Sequence, residues 1–140
     1  MAALVVDTSA LICVLNSESD AQPFKVALHE ADAVLISLAT LFEASCVVRS
    51  DRFFEGTRRL DQLIASLDPE FADFDEAQLR VAREAYARYG RGAGHPAKLN
   101  MGDCFAYALA RTRKLPLLFK GEDFVHTDIE PALRLAGQPV

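Results

Sequence analysis

The sequence lacks any apolar run of the roughly 18 residues that a helix needs to cross a bilayer. Its N-terminus also lacks the basic region with which a secretory signal peptide begins. We therefore expect a soluble protein of the cytoplasm that has no membrane partner.

Cysteine is scarce. Cys13, Cys46 and Cys104 lie far apart, and each is inside an apolar segment. This number and spacing provide neither a disulfide framework nor the ligand spacing of a cysteine metal site. We expect all three to be small buried residues in the core of a protein that stays reduced.

An excess of basic residues is also missing. The chain has 15 Lys and Arg against 20 Asp and Glu, for a net charge of −5. Composition therefore does not indicate a general nucleic-acid groove, although it is compatible with a local basic rim.

The length and composition are those of one globular domain. The 140 residues fall within the commonest range of domain sizes, about 100–150 residues. The hydrophobic fraction of 51% and the charged fraction of 25% are typical of globular chains and exclude the disordered and fibrous classes. We expect a single domain that spans residues 1–140.

Short apolar segments alternate with helical patterns along the chain. The first of them, at residues 4–6, ends at Asp7 and leads directly into a helical pattern, which predicts a buried strand followed by a helix. The alternation predicts an α/β protein, a three-layer α/β/α sandwich whose central, mostly parallel sheet has short strands. The predicted strands are residues 4–6, 33–36, 71–74, 116–119 and 127–129, and the predicted helices are residues 9–15, 21–31, 38–48, 53–67, 75–89 and 104–113.

Three acidic residues stand alone in apolar stretches. Asp7 is the only charged residue in positions 1–17, Glu43 in positions 34–48, and Asp103 in positions 99–110. Ionised carboxylates are seldom buried unless they are paired or bind a cation, and these segments contain no basic partner. Strand ends and the helix starts that follow them meet at one edge of a parallel sheet. We expect the three acids to converge there, joined by Asp123 just beyond the fourth predicted strand.

Each acid also has an ordinary structural interpretation. Asp7 can cap the helix that follows it, and Asp103 can be an acid favoured by a helix N-terminus. Glu43 can face solvent, and Asp123 can be a turn residue. It is less expected that all four acids have only these structural roles than that any one of them does. A cluster of carboxylates without His or Cys favours Mg²⁺, with Mn²⁺ as the alternative.

Four segments resemble the conserved blocks of PIN-domain proteins, specifically the VapC toxins of bacterial toxin–antitoxin pairs. They are residues 6–11, 41–44, 99–110 and 117–124, in the family's order and over nearly the whole chain. The most specific are the blocks Gly102-Asp103-Cys104-Phe105 and Lys120-Gly121-Glu122-Asp123-Phe124.

The resemblance implies a small α/β/α homodimer that is a metal-dependent endoribonuclease and is silenced by a cognate antitoxin. It places Asp7, Glu43, Asp103 and Asp123 on the family's acidic quartet and Ser9 on the small polar residue that supports it. Asp128 matches more loosely as an additional outer acid.

Phosphodiester cleavage needs charge neutralised on the phosphate and a water activated, and bound Mg²⁺ supplies both. We expect Asp7 and Asp103 to be direct metal ligands. Glu43 and Asp123 would complete the shell through water or hold a second ion.

Basic residues flank a glycine-rich loop at positions 90–96 and are candidates for a rim that contacts the RNA phosphates. The alternative is that they are ordinary solvated charges. They are Arg88, Arg91, His95 and Lys98.

An acidic cluster without metal suits a guanidinium group, so we expect the antitoxin to insert an arginine among the carboxylates. We also expect it to lay an apolar segment along the helices of residues 21–67, where some of the large apolar side chains exceed what one core needs. Those side chains are Phe24, Phe42, Phe53, Phe54, Leu60 and Ile64.

Two other classes of function remain open. One is a non-catalytic PIN-like binding module whose acidic pocket holds a partner's arginine or a structural cation; four intact acids argue against it, because like charges are costly to cluster without a use. The other is a phosphoacceptor receiver domain. Such a domain would need paired acids after the first strand, whereas Asp7 is followed by Thr8 and Ser9.

Overall fold

Four short parallel strands form the centre of the protein. The structure is a computed structural model that describes residues 2–134. The strands lie in the order β3-β2-β1-β4, and Val5 pairs with Leu35 on one side and with Leu117 on the other. In chain order they are β1 Leu4–Val6, β2 Val34–Ser37, β3 Glu70–Ala72 and β4 Leu117–Leu118.

Six helices accompany these strands in residues 2–134. Several begin at a polar residue that accepts a backbone hydrogen bond: Ser37 Oγ accepts from the N–H of Ala39, and the Asp75 carboxylate accepts from that of Gln78. The helices are α1 Thr8–Leu15, α2 Ala21–Glu30, α3 Leu38–Val47, α4 Gly56–Leu67, α5 Glu76–Tyr89 and α6 Met101–Arg113.

The sheet separates two hydrophobic cores, because successive strand side chains point to opposite faces. On one face, Val5 and Leu117 pack with residues of α5 and α6 such as Leu109. On the other face, Val6 and Leu118 pack with residues of α1 to α4. This arrangement confirms the predicted α/β/α sandwich with a parallel sheet.

The predicted strand at residues 127–129 is wrong. Local hydrogen bonds use its backbone instead: the Thr127 N–H donates to Phe124 O, and Thr127 Oγ1 accepts from the N–H of Ile129. Pairing to β4 is limited to one bridge, between Leu117 and Pro131, and a proline has no N–H with which to extend a ladder.

The prediction of three buried cysteines is also wrong for one of them. Cys13 and Cys104 are buried, but Cys46 is exposed. It lies two residues after Ala44, which faces the core, and two residues correspond to about 200° around a helix. Cys46 therefore points outward from α3.

The sheet order places a crevice beside β1. The chain passes from β1 to β2 on one side and reaches β4 on the other side only after β3, so the carboxyl ends of β1 and β4 flank a topological switch point. Asp7 follows β1 and Lys120 follows β4. Within residues 2–134, no helix is long and apolar enough to cross a membrane.

Candidate active site

Asp7 lies at the junction of β1 and α1, where it caps the helix. Its N–H donates to Leu118 O at 2.9 Å, and its Oδ2 accepts from the N–H and the Oγ of Ser9 at 3.0 and 2.6 Å. Only 3% of the residue is exposed, and Oδ1 is buried with no hydrogen-bond partner. Burial raises the pKa of Asp7 to about 6, although the two bonds from Ser9 oppose this shift.

Glu43 reaches the same place from α3. Its Oε1 accepts from Thr8 Oγ1 at 2.7 Å, and its negative charge contributes to the raised pKa of Asp7. Its other oxygen lies against the first turn of α6: a Cβ built on Gly102 would be 1.9 Å from Glu43 Oε2. The carboxylate can occupy this position only because residue 102 has no side chain.

Asp103 is held in the first turn of α6 by a reciprocal cap. Asn100 Oδ1 accepts from the Asp103 N–H at 2.8 Å, and Asp103 Oδ2 accepts from the Asn100 N–H at 3.0 Å. Burial raises the pKa of Asp103 to about 8, and the Asp7 and Asp123 carboxyls add to the shift. Asp123 is exposed, and its carboxyl is close enough to that of Asp103 to contribute to the raised pKa of Asp103.

The structure thus brings all four predicted acids together. Glu43 acts electrostatically on Asp7, and both Asp7 and Asp123 act electrostatically on Asp103. In residues 2–134, no Lys, Arg or His nitrogen lies within 4.0 Å of any of these carboxylates.

The donor set fits a divalent cation. The unpartnered Oδ1 of Asp7 is costly to bury, and a cation would satisfy it. All four donors are carboxylates, the hard oxygen ligands that Mg²⁺ and Mn²⁺ prefer.

A different group has the tightest spacing of possible metal ligands. The Cys13 Sγ and carboxylate oxygens of Glu18 and Asp20 lie within 4.8 Å of one another, the one such group in the described chain. The ammonium of Lys120 already binds both of these carboxylates, and burial raises the pKa of the Cys13 thiol to about 11, which keeps it protonated. We therefore assign this group to an ion-pair cluster and favour the four acids as the cation site.

The predicted basic rim divides into two places. Arg91, His95 and Lys98 line an open cavity of about 790 Å³ together with Asp123. Arg88 does not line it. Its guanidinium lies 4.8 Å from the centre of the Tyr89 ring, beside a smaller cavity.

Asp128, the looser match, does not face the four acids directly. It accepts a hydrogen bond from the Tyr107 hydroxyl and lies 3.8 Å from Arg111. These partners are one and two turns along α6 from Asp103, so Asp128 is tied to the body of the helix rather than to its first turn.

Several residues of the site were not predicted. The spacing of Asn100 and Asp103 is that of a capping box, and the sequence contained this signal. Thr8, Gly102 and Lys120 act through contacts with residues far away in the chain, and no local pattern indicates them.

Comparison with known proteins identifies the family. The PIN domain family model matches residues 4–130, so the chain belongs to the PIN-domain family. Ribonuclease VapC28 of Mycobacterium tuberculosis is 47% identical over 130 residues, which are 93% of this chain and 98% of that protein. Within the PIN-domain family, the chain is therefore a member of the VapC ribonucleases, as its conserved blocks had indicated.

Solved structures share the fold. The crystal structure of VapC20 from Mycobacterium tuberculosis, a toxin described as cleaving the sarcin-ricin loop, superposes with a TM-score of 0.70 at 15% identity, over 91% of this chain and 99% of that one. The toxin–antitoxin complex VapBC-5 from the same organism gives a TM-score of 0.64 at 23% identity, over 96% and 97%. At these identities the similarity concerns the fold alone.

We predict that, in metal-free buffer, the stability of the protein falls as the pH rises from about 4 to 8. The carboxyl of Asp103 has an ordinary pKa of 3.8 and a folded value of about 8, so over this range the folded state binds a proton that the unfolded state has lost. Asp103→Asn removes this proton uptake. Its stability should vary less with pH and should exceed that of the parent near pH 8.

The measurement is urea unfolding at pH 5 to 9 in EDTA, with Asp61→Asn, an exposed acid on α4, as the control. Equal pH slopes for the parent and Asp103→Asn would contradict the raised pKa.

Proposed function

We propose that this chain is a metal-dependent endoribonuclease toxin, silenced by a cognate antitoxin, and that Asp7, Glu43, Asp103 and Asp123 form its active site. The observation that carries the proposal is the convergence of four carboxylates, without a basic partner, around the buried and unpartnered Oδ1 of Asp7. The VapC relatives supply the substrate class, because the names of these proteins describe ribonucleases. We further propose that residues 1–140 act as one nuclease domain in the cytoplasm.

Asp7 and Asp103 would hold the cation directly, with Glu43 and Asp123 binding through water or at a second ion. This division suits the geometry, because no three of the four acids have ligand atoms within 4.8 Å of one another. A bound Mg²⁺ or Mn²⁺ supplies charge neutralisation at the phosphate and lowers the pKa of a water.

The protein's own contribution is to orient these groups before substrate arrives. Ser9 fixes the Asp7 carboxylate through two hydrogen bonds, and Thr8 fixes that of Glu43. Asn100 sets the rotamer of Asp103. Prior orientation of this kind avoids reorganisation when the reaction occurs.

The cavity beside Asp123 would hold the RNA backbone. Arg91 and Lys98 are exposed on its wall, and they can contact phosphates on either side of the bond to be cleaved. His95 is fixed on the same wall: its Nδ1 accepts from the N–H of Ala97, and its ring packs edge-on against Tyr89.

The alternative of a non-catalytic binding module is less well supported. A pocket that only held an arginine would need one or two carboxylates. It would have no use for a basic cavity next to Asp123.

We predict that Asp7→Asn and Asp103→Asn each reduce RNA cleavage by more than about 100-fold and leave the fold intact. The basis is that even residues that only support a metal ligand contribute about 10- to 100-fold. Purified protein would be assayed on bacterial total RNA with Mg²⁺, Mn²⁺ or EDTA, and new 5′ ends would be sequenced.

The matched control is Asp61→Asn, which removes an exposed acid from α4 and should cleave at the parental rate. Cleavage by Asp7→Asn at the parental rate with divalent ion present would contradict the assignment of the active site. Cleavage by the parent in EDTA would contradict the proposed metal dependence.

For the antitoxin, we propose a docking groove between α2 and α4, with an arginine inserted among the four carboxylates. The groove is open and encloses about 640 Å³, and its lining combines apolar side chains, which include Val26, Leu63 and Leu67, with charged ones such as Lys25 and Glu30. It has different walls from those predicted, because Phe24, Phe53 and Leu60 are buried in the core. Solved relatives such as VapBC-5 are toxin–antitoxin complexes.

We predict that Val26→Glu weakens antitoxin binding and leaves RNA cleavage unchanged, because it places a charge among the apolar side chains of the groove, whose lining includes none of the four acids. Tyr86→Glu, an equally exposed position on α5, is the control. Binding would be measured with the cognate antitoxin, sought first in the neighbouring reading frame, whose arginines would also be changed one at a time to alanine. If no single arginine mattered for inhibition, the insertion proposal would have to be dropped.

We propose that α3 forms the homodimer contact. Leu38, Phe42 and Cys46 are spaced four residues apart and are all exposed, so they form one stripe along α3. The ring of Phe42 is 72% exposed, and an exposed apolar stripe of this kind is typical of an interface.

We predict that Phe42→Glu converts a dimer to a monomer. Size-exclusion chromatography with light-scattering detection would measure the molar mass. Phe54→Glu, at an equally exposed phenylalanine before α4, should leave the mass unchanged. Dimers in both variants would place the interface elsewhere.

A further inference from the structure

The backbone of Lys120 lies next to the proposed active site, but its ammonium binds carboxylates outside that site. It forms ion pairs with Glu18 and with Asp20, the latter at 3.0 Å, in the connection between α1 and α2. About a third of each of these three side chains is exposed. A single surface ion pair contributes little to stability, but one cation between two partly buried carboxylates is a network with a defined geometry.

A fourth group contacts this cluster. The Cys13 thiol, which is fully buried, donates to Asp20 Oδ1 at a sulfur–oxygen distance of 3.7 Å. The Lys120 ammonium holds the pKa of Asp20 below its usual value. We refer to Lys120, Glu18 and Asp20 as the lysine clamp.

The backbone of Lys120 connects the clamp to Asp7. Its N–H donates to Ser9 Oγ at 3.0 Å, and the Ser9 hydroxyl donates to Asp7 Oδ2 at 2.6 Å. A hydroxyl has one hydrogen, so Ser9 can give it to Asp7 while accepting from Lys120. The amide of Lys120 therefore decides which way the Ser9 hydrogen points.

The same residue precedes the loop that carries Asp123. Gly121 follows Lys120 with φ +109° and open space where a Cβ would lie, and the buried, contacting rings of Phe119 and Phe124 hold the segment on either side. Fixing Lys120 thus restrains one end of a short segment whose other end is an active-site acid.

We propose that the lysine clamp is a positioning device for two of the four carboxylates: it sets the Ser9 hydroxyl that orients Asp7, and it anchors the loop that places Asp123. The proposal rests on the proposed nuclease function. Lys120, Glu18 and Asp20 are positioning residues and do not contact the substrate.

The competing role for a lysine at this place is direct contact with an RNA phosphate. The two roles predict opposite results when the carboxylates of the clamp are neutralised. A phosphate-binding Lys120 would be freed by Glu18→Gln with Asp20→Asn, and cleavage would stay level or rise. A clamped Lys120 would lose its anchor, and cleavage would fall.

The experiment compares Lys120→Met, Lys120→Arg, the Glu18→Gln/Asp20→Asn double variant and the triple variant Lys120→Met/Glu18→Gln/Asp20→Asn. We expect Lys120→Met to lower kcat by about 10- to 100-fold, the usual effect of losing a residue that orients a metal ligand, with KM nearly unchanged. The double variant should show the same loss. The triple variant should be no worse, because all the changes break one unit. Lys120→Arg can pair with both carboxylates and should restore most of the activity.

Two readouts are independent of RNA cleavage. Mn²⁺ affinity, measured by electron paramagnetic resonance, should weaken in parallel with kcat, and the Lys120 amide should exchange its hydrogen faster. Melting curves define the temperature at which every variant is folded, and all assays are made below it.

Three results would overturn the proposal. They are loss of activity in Lys120→Met with full activity in the double variant, unchanged Mn²⁺ affinity and amide exchange in all variants, or an increased KM with unchanged kcat. If the parent itself cleaved no RNA, the proposed function would fail, and the Mn²⁺ and amide-exchange measurements would still decide whether the clamp positions Asp7.

Discussion

Burying the Asp7 carboxylate costs free energy, and the surroundings of β1 provide compensating interactions for that one group. Two hydrogen bonds from Ser9 stabilise its charged form, but Oδ1 has no protein partner, and the charge of Glu43 opposes ionisation further. An apolar residue would fit this position at much lower cost. This cost is the physical reason for proposing a cation here, and the reciprocal cap of Asp103 and the bonds from Ser9 and Thr8 keep the acids close despite their repulsion.

The two cores provide the rigidity that this repulsion demands. Each strand is only two to four residues long, yet its side chains pack on both faces, so the strand ends that carry Asp7 and Lys120 have little freedom to move apart. The helix starts contribute in a different way. The reciprocal cap between Asn100 and Asp103 satisfies backbone N–H groups at the first turn of α6, and the same bonds fix the rotamer of the acid.

Sequence reasoning succeeded where a local pattern and a single physical rule were enough. The convergence of Asp7, Glu43 and Asp103 could be predicted because a lone charge in an apolar stretch is costly without a partner, and the ends of parallel strands meet at one edge. Their role in a metal site stays a prediction. The prediction of a buried Cys46 was wrong because apolar neighbours in sequence do not specify which side of a helix faces the core. The predicted strand at residues 127–129 was wrong because local turns compete with short strands for the same backbone hydrogen bonds. Thr8, Gly102 and Lys120 act only through partners distant in the chain, so their roles depend on the tertiary structure.

The absence of a side chain at Gly102 is needed by the site but not by the fold. The atoms that a Cβ at this position would meet belong to the end of the flexible Glu43 side chain, which can swing aside without disturbing the backbone. Every substitution of a glycine adds a Cβ, so no amino-acid change at position 102 avoids the contact with Glu43. A mutation there would displace one carboxylate and leave the α2–α4 groove intact. Under the proposed function, a growth selection for survivors of the chain expressed without antitoxin should therefore return position 102 repeatedly among variants that remain folded.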